Sequence, residues 1–250
     1  AVLWLNVVAI VWGTQHSIIK MVVNDSDPAA FLVLRFGIGA LLASPYLSNQ
    51  QTTWRWGMEM GVWMFLGFFL QAIGLQYTTA QRSGFLLYLN VKFVPFLAFL
   101  LLGRRISVAT WVSALTAFAG TTLLAYDKTG VLELNVGDLW TIGAAAASAM
   151  FILRLERASD QVDDAAALNA TCLWVVTALA GAWTFFEGRL DGVESIATSH
   201  TLELLYLGGV TTAFANWIQT KAQKTVPAER AAVIYAMDPV YGAAFAYAIL

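Results

Sequence analysis

Arg35, Lys92 and Asp238 are charged residues standing in otherwise apolar stretches, and Trp12, His16 and Lys20 recur at i, i+4 and i+8 in another. A charge at the centre of a membrane helix costs about 2.5–3.5 kcal/mol on insertion scales, so such groups face a cavity or a partner. Lys92 lies three residues before Pro95, whose missing N–H frees the carbonyl of Val91. A cation beside an unpaired carbonyl at mid-depth would hold a polar group; the plain alternative is a folding ion pair or a snorkelling side chain. Asp238 directly precedes Pro239; it would pair with Lys92, bind a cation, or carry a proton. The guanidinium of Arg35 offers two parallel hydrogen bonds to a carboxylate or phosphate, unless it is spent on Asp25 or Asp27 in the neighbouring loop.

Trp12, His16 and Lys20 fall within about 80° of one another around a helix, as a cavity lining would. Lys20 alone reads as snorkelling and His16 alone as a packing histidine. Gln71, Tyr88, Asn90, Asn216, Gln219, Tyr235 and Tyr241 are further polar candidates for the same lining.

Positioning such groups takes helices that cross a bilayer, and the chain contains little else. Hydrophobic residues make up 59% and charged residues 12%, against about 45–50% and about 25% in soluble domains. A span needs about 20 residues. The pattern predicts an all-α polytopic membrane helix bundle with spans at 2–22, 29–48, 57–77, 83–103, 107–126, 137–155, 165–186, 203–220 and 231–250. With the N-terminus cytoplasmic, Arg55, Arg104, Arg105, Arg154, Arg157, Lys221, Lys224 and Arg230 gather inside, leaving only Arg82, Lys128 and Arg189 outside. The first run lacks a basic leader and a cleavage site, so it reads as a span rather than a signal peptide. Both ends look trimmed, and the natural chain is expected to continue past Leu250.

Net charge −2 and pI near 5.6 give no basic footprint for nucleic acid. A single cysteine, Cys172, excludes an intramolecular disulfide framework and, with His16 and His200 alone, leaves too few ligands for structural zinc. No cofactor or metal is expected. Small residues at four-residue spacing, Ser113/Ala117/Thr121 and Gly143/Ala147, read as close helix packing.

Residues 75–84 are faintly echoed by residues 222–231, and each copy leads into a tyrosine (Tyr88, Tyr235) and a proline (Pro95, Pro239). The copies lie five spans apart, so the second runs through the membrane in the opposite direction, the pattern of inverted repeats. Trp12-Gly13 with Lys20, Arg35-Phe36, Gly84-Phe85-Leu86 through Val94-Pro95-Phe96, Ala222-Gln223 into Ala231-Ala232, and Asp238-Pro239-Val240 complete a pattern that resembles the drug/metabolite transporter superfamily, EamA type. The resemblance covers essentially the whole chain. It implies ten spans in two inverted five-helix repeats, here residues 1–126 and 137–250, with the tenth span missing. Where such chains often end span 4 with Gly-Glu-Arg, this one reads Gly103-Arg104-Arg105.

The expected function is secondary transport of small organic solutes, amino acids or related metabolites and drugs, by alternating access in a plasma or bacterial inner membrane, with an organelle membrane as the alternative, as a monomer or homodimer. Small solute and lipid are the expected partners. Lys92 and Arg35 facing one cavity would favour an anionic solute. A channel is the first alternative, although rings of like charge and repeated filter loops are missing. An intramembrane enzyme is the second, although no base stands beside a nucleophile or metal motif.

Overall fold

The computed structural model describes residues 1–23, 27–125 and 135–249, and leaves out some helical side chains, those of His16, Lys20 and residues 121–125 among them. The expected loop residues Asp25, Asp127, Lys128 and Glu133 therefore lie outside the described residues. Helices α1 (Val2–Val23), α2 (Pro28–Ala43) and α3 (Gln51–Leu75) are followed by α4 (Ala80–Leu87), α5 (Asn90–Leu102) and α6 (Val108–Ala125). Then come α7 (Val136–Gln161), α8 (Ala165–Phe186), α9 (Asp191–Ser199) and α10 (Thr201–Leu205). A π-helical segment (Tyr206–Phe214) runs from α10 into α11 (Ala215–Gln223), and α12 (Ala228–Tyr235) and α13 (Asp238–Ile249) complete the chain.

In lipid every backbone polar group must be satisfied within its own segment, which is why apolar runs of this length fold as helices. Pro28–Tyr46, Gln51–Leu75, Arg82–Leu102, Val136–Gln161 and Ala165–Phe186 are each long and apolar enough to cross a membrane. Polar side chains set the ends. Asp27 accepts from the backbone N–H of Ala29 and Ala30 at the start of α2, with Pro28 in the first turn. Asn135 and Asp138 form a reciprocal capping box on α7. Gly103, at φ 61°, ends α5 in the left-handed conformation that glycine adopts without steric penalty.

That turn delivers Arg104 to Glu156 at 2.8 Å and Glu229 at 3.4 Å. The hydrogen bond that Arg104 donates to Glu156 holds the Arg104 pKa above its ordinary value. On the same side, Arg154 pairs with Glu59 while lying over the Trp56 ring, and Lys224 pairs with Asp163. On the opposite side Arg82 meets the fully buried Asp138 at 2.7 Å, and Arg189 pairs with Asp27. Every pair joins residues that the expected topology puts on one membrane face.

The broadest contacts pair α3 with α7 and α8, α2 with α8, and α1 with α13. Each joins a helix from the first part of the chain to one from the second, so the two sequence halves interleave rather than form separate bodies. Glycines permit the crossings. A Cβ on Gly61 would lie 2.5 Å from the Cβ of Val175, and one on Gly137 would lie 2.6 Å from the carbonyl oxygen of Gly74. Gly61→Val is expected to cost about 1–3 kcal/mol by overpacking the α3–α8 crossing, measured as a lower unfolding temperature in detergent.

Two differences from the sequence expectation stand out. Residues 187–200, expected as loop, contain α9, whose Ile196 is buried and which packs on α2. Residues 83–103, expected as one span, are broken at Tyr88 and Leu89, about two turns before Pro95, which is carried inside α5 as the sequence suggested. The second interruption, at residues 236–237, leaves Pro239 in the first turn of α13, where its missing N–H removes no helical bond. In both places an eight-residue helix (α4, α12) is followed by a two-residue break and a longer helix (α5, α13).

Candidate functional site: a polar cavity between interleaved helices

The interleaved helices enclose a cavity of about 480 Å³, within the range of about 300–1,000 Å³ usual for small-molecule sites. Its lining runs from Asn216 and Gln219, deep in the bundle, to Pro28, Leu75 and Gln76, where α2 begins and α3 ends. The cavity therefore reaches the membrane face on which Asp27 and Arg189 pair, and the Arg104–Glu156–Glu229 cluster lies at the other.

Arg35, buried on α2, is its principal cation. Nε donates to Thr212 Oγ1 at 2.9 Å, and Nη2 donates to Gln15 Oε1 at 2.6 Å and to Thr211 Oγ1 at 3.3 Å. The guanidinium lies 5.6 Å from the Phe36 ring centroid and 5.5 Å from that of Phe68, so aromatic faces share its charge. Among the described residues no carboxylate pairs with it. Asp27, one of its expected loop partners, caps α2 and pairs with Arg189 instead.

Asp238 is the cavity's acid. It opens α13, is buried, and accepts from Tyr88 Oη at 3.3 Å. Asn90 occupies the equivalent first position of α5 after the other break, lines the same cavity and donates to Ser148 Oγ at 3.3 Å. The two interrupted helices thus bring one carboxylate and one carboxamide to a single chamber.

Aromatic rings shape the space between. Trp12 packs at 5.2 Å on Tyr235 and fixes its indole by donating to the Thr211 carbonyl at 3.1 Å. Gln219 Nε2 donates to Gln223 Oε1, and Gln223 Nε2 donates to the Ile152 carbonyl at 2.9 Å, which locks both amide orientations. Gln219 Oε1 is left as the buried side-chain polar atom without a hydrogen-bond partner among the described residues. A buried unsatisfied acceptor costs about 1–3 kcal/mol.

Of the expected residues, Trp12, Arg35, Gln71, Tyr88, Asn90, Asn216, Tyr235 and Asp238 line this cavity, as does Gln219. Tyr241 and Lys92 do not. Asn90 faces the chamber, and Lys92, two residues on, is turned by about 200° around α5; it is half-buried elsewhere. On α1 the described lining runs through Trp12, Gln15 and Ile19, at i, i+3 and i+7, and the side chains of His16 and Lys20, the rest of the expected stripe, lie outside the description. Gln15, Thr211 and Thr212 are not among the residues the sequence pattern singles out; the signal available for Gln15 is its place three residues after Trp12.

The fold and site define a polytopic helical membrane protein of the transporter type. The chain belongs to the EamA-like transporter family, which it matches over residues 1–126 and again over 135–250. It is 26% identical over 251 residues to an uncharacterized transporter of Archaeoglobus fulgidus, covering 99% of this chain and 77% of the relative. It is 24% identical over 249 residues to the uncharacterized transporter YwfM of Bacillus subtilis, covering 95% and 81%. A solved crystal structure shares the fold with a TM-score of 0.77 at 19% identity, over 95% of this chain and 84% of that one.

Proposed function

We propose that the protein is a secondary carrier of small organic solutes bearing both a carboxylate and an amine-type donor, amino acids foremost. The buried Arg35, held by Gln15, Thr211 and Thr212 and facing a cavity without a carboxylate partner among the described residues, carries this reading. A guanidinium already fixed in place binds a carboxylate with little further loss of side-chain entropy. Asp238 on the same chamber complements the ammonium end, and Gln219 Oε1 accepts a further donor when the bundle closes around the solute. The aromatic wall takes the apolar part.

Transport proceeds by alternating access. Because residues 1–126 and 135–250 interleave as inverted repeats, the moving bundles combine helices from both. The Arg104–Glu156–Glu229 cluster, which joins the two repeats, parts when the cavity opens to the other side. With the N-terminus cytoplasmic, that side is the cytoplasm, and the membrane is the plasma or bacterial inner membrane.

Thermal unfolding in detergent with leucine, isoamylamine and 4-methylvalerate tests the solute class, since a ligand stabilises the state it binds. Leucine is expected to raise the unfolding temperature more than either fragment. Equal stabilisation by the amine or the acid alone would contradict a two-ended site.

A further inference from the structure

A second hollow, of about 320 Å³, lies against the π-helical segment, walled by the end of α2, the start of α8, and Gly209, Ala213, Phe214 and Trp217. Leu42, Tyr46 and Phe214 at its rim are 56%, 59% and 44% exposed, and on a membrane-spanning bundle that exposure is to lipid. Gly209, Ala213 and Trp217 recur along its wall at four-residue spacing, so its long axis follows the helix. Its one amide side chain, Asn169, already donates to the Ala213 carbonyl at 3.0 Å, so the walls are effectively apolar.

One turn beyond Trp217 stands Lys221, exposed, with Nζ 5.5 Å from the indole centroid. Among the described residues no carboxylate pairs with it, whereas the nearby Lys224 is taken by Asp163. A cation fixed on the aromatic wall at the mouth of an apolar slot matches one chemical shape: an anion attached to a hydrocarbon chain.

We propose that this hollow is a binding site for an anionic phospholipid, with one acyl chain lying between α2, α8 and the π-helical segment and the phosphate resting on Lys221. The occupant abuts the segment whose Thr211 and Thr212 hold Arg35, yet the site is independent of what the central cavity carries.

The test is thermal unfolding of the purified chain in neutral detergent with dioleoyl-phosphatidylglycerol, dioleoyl-phosphatidylcholine or inorganic phosphate. Phosphatidylglycerol is expected to raise the unfolding temperature by several degrees, phosphatidylcholine less, and phosphate not at all. Gly209→Leu fills the slot, and its Cβ meets only the flexible end of Leu42, at 3.3 Å; it should remove the response to both lipids. Lys221→Gln should reduce phosphatidylglycerol to the level of phosphatidylcholine. Equal effects of the two lipids on the wild type, stabilisation by phosphate alone, or an undiminished response in Gly209→Leu would overturn the proposal. Should Gly209→Leu fail to fold, fluorescence quenching by phosphatidylglycerol brominated on its acyl chains reads the same contact. The quenched fraction must fall in Trp217→Phe, and an unchanged fraction overturns the site.

Discussion

Arg35→Ala is expected to lower solute transport by about a hundredfold or more while the protein still inserts and folds. Hydrogen bonds to a charged group contribute about 1.5–3 kcal/mol each; with Nε and Nη2 held by Thr212, Gln15 and Thr211, the two N–H groups of Nη1 are left for a carboxylate, and two such bonds account for at least about 3 kcal/mol, or about two decades of affinity. The groups left behind tolerate the loss. Thr211 Oγ1 already donates to the Leu207 carbonyl at 2.8 Å, and Gln15 and Thr212 border a cavity that admits water. Arg35→Lys separates charge from geometry, because an ammonium keeps the charge but cannot span Gln15 and Thr212 while keeping two N–H groups for the solute. It should restore only a small part of the activity. Binding affinity and initial transport rate, measured on both variants at equal folded protein, check this; near-normal rates in Arg35→Ala would remove the solute role of this residue.

Asp138→Ala is expected to produce the largest loss of stability, about 3 kcal/mol. Its carboxylate is fully buried and accepts from Arg82 at 2.7 Å, Thr78 Oγ1 at 2.9 Å and the Asn135 backbone N–H at 2.9 Å. Breaking a buried ion pair costs about 3–5 kcal/mol. The low end applies because the Arg82 side chain is 28% exposed and regains water. The change also unmakes one half of the capping box on α7 and frees the turn between α3 and α4 beside the tight Gly74–Gly137 crossing. Asp138→Asn retains two of the acceptor contacts and should lose less. Unfolding temperatures of both variants in one detergent, ordered wild type, Asn, Ala, are the check; an Ala variant as stable as wild type would show that the pair contributes nothing.

The membrane spans were legible because lipid imposes one rule, about 20 apolar residues with all backbone groups bonded, and the chain obeys it with few exceptions. Helix α9 was not legible by that rule: it is short and amphipathic, buries Ile196 against α2, and hides in the longest connection. Charge in an apolar run picked out Arg35 and Asp238 but also Lys92. What separates them is angular register, which depends on where a helix restarts. The break at Tyr88–Leu89 turns Asn90 toward the cavity and Lys92 away from it. On α1 it is Gln15, an uncharged residue the sequence pattern does not single out, that accepts a hydrogen bond from Arg35.

The interleaving of the halves was equally invisible in one dimension. Repeats that are contiguous in sequence suggest two bodies, yet α1 packs most broadly on α13 and α2 on α8. Close approach at Gly61 and Gly137 explains how apolar helices from the two halves of the sequence associate where lipid provides no hydrophobic drive.

The account stands on a solute being enclosed by this cavity and carried, rather than passing through it. Counterflow in reconstituted vesicles measures that directly, using a labelled amino acid that stabilises the protein. Alternating access predicts saturable uptake that is accelerated by the same unlabelled amino acid preloaded inside. Uptake that rises linearly with concentration and ignores the preloaded solute would contradict it.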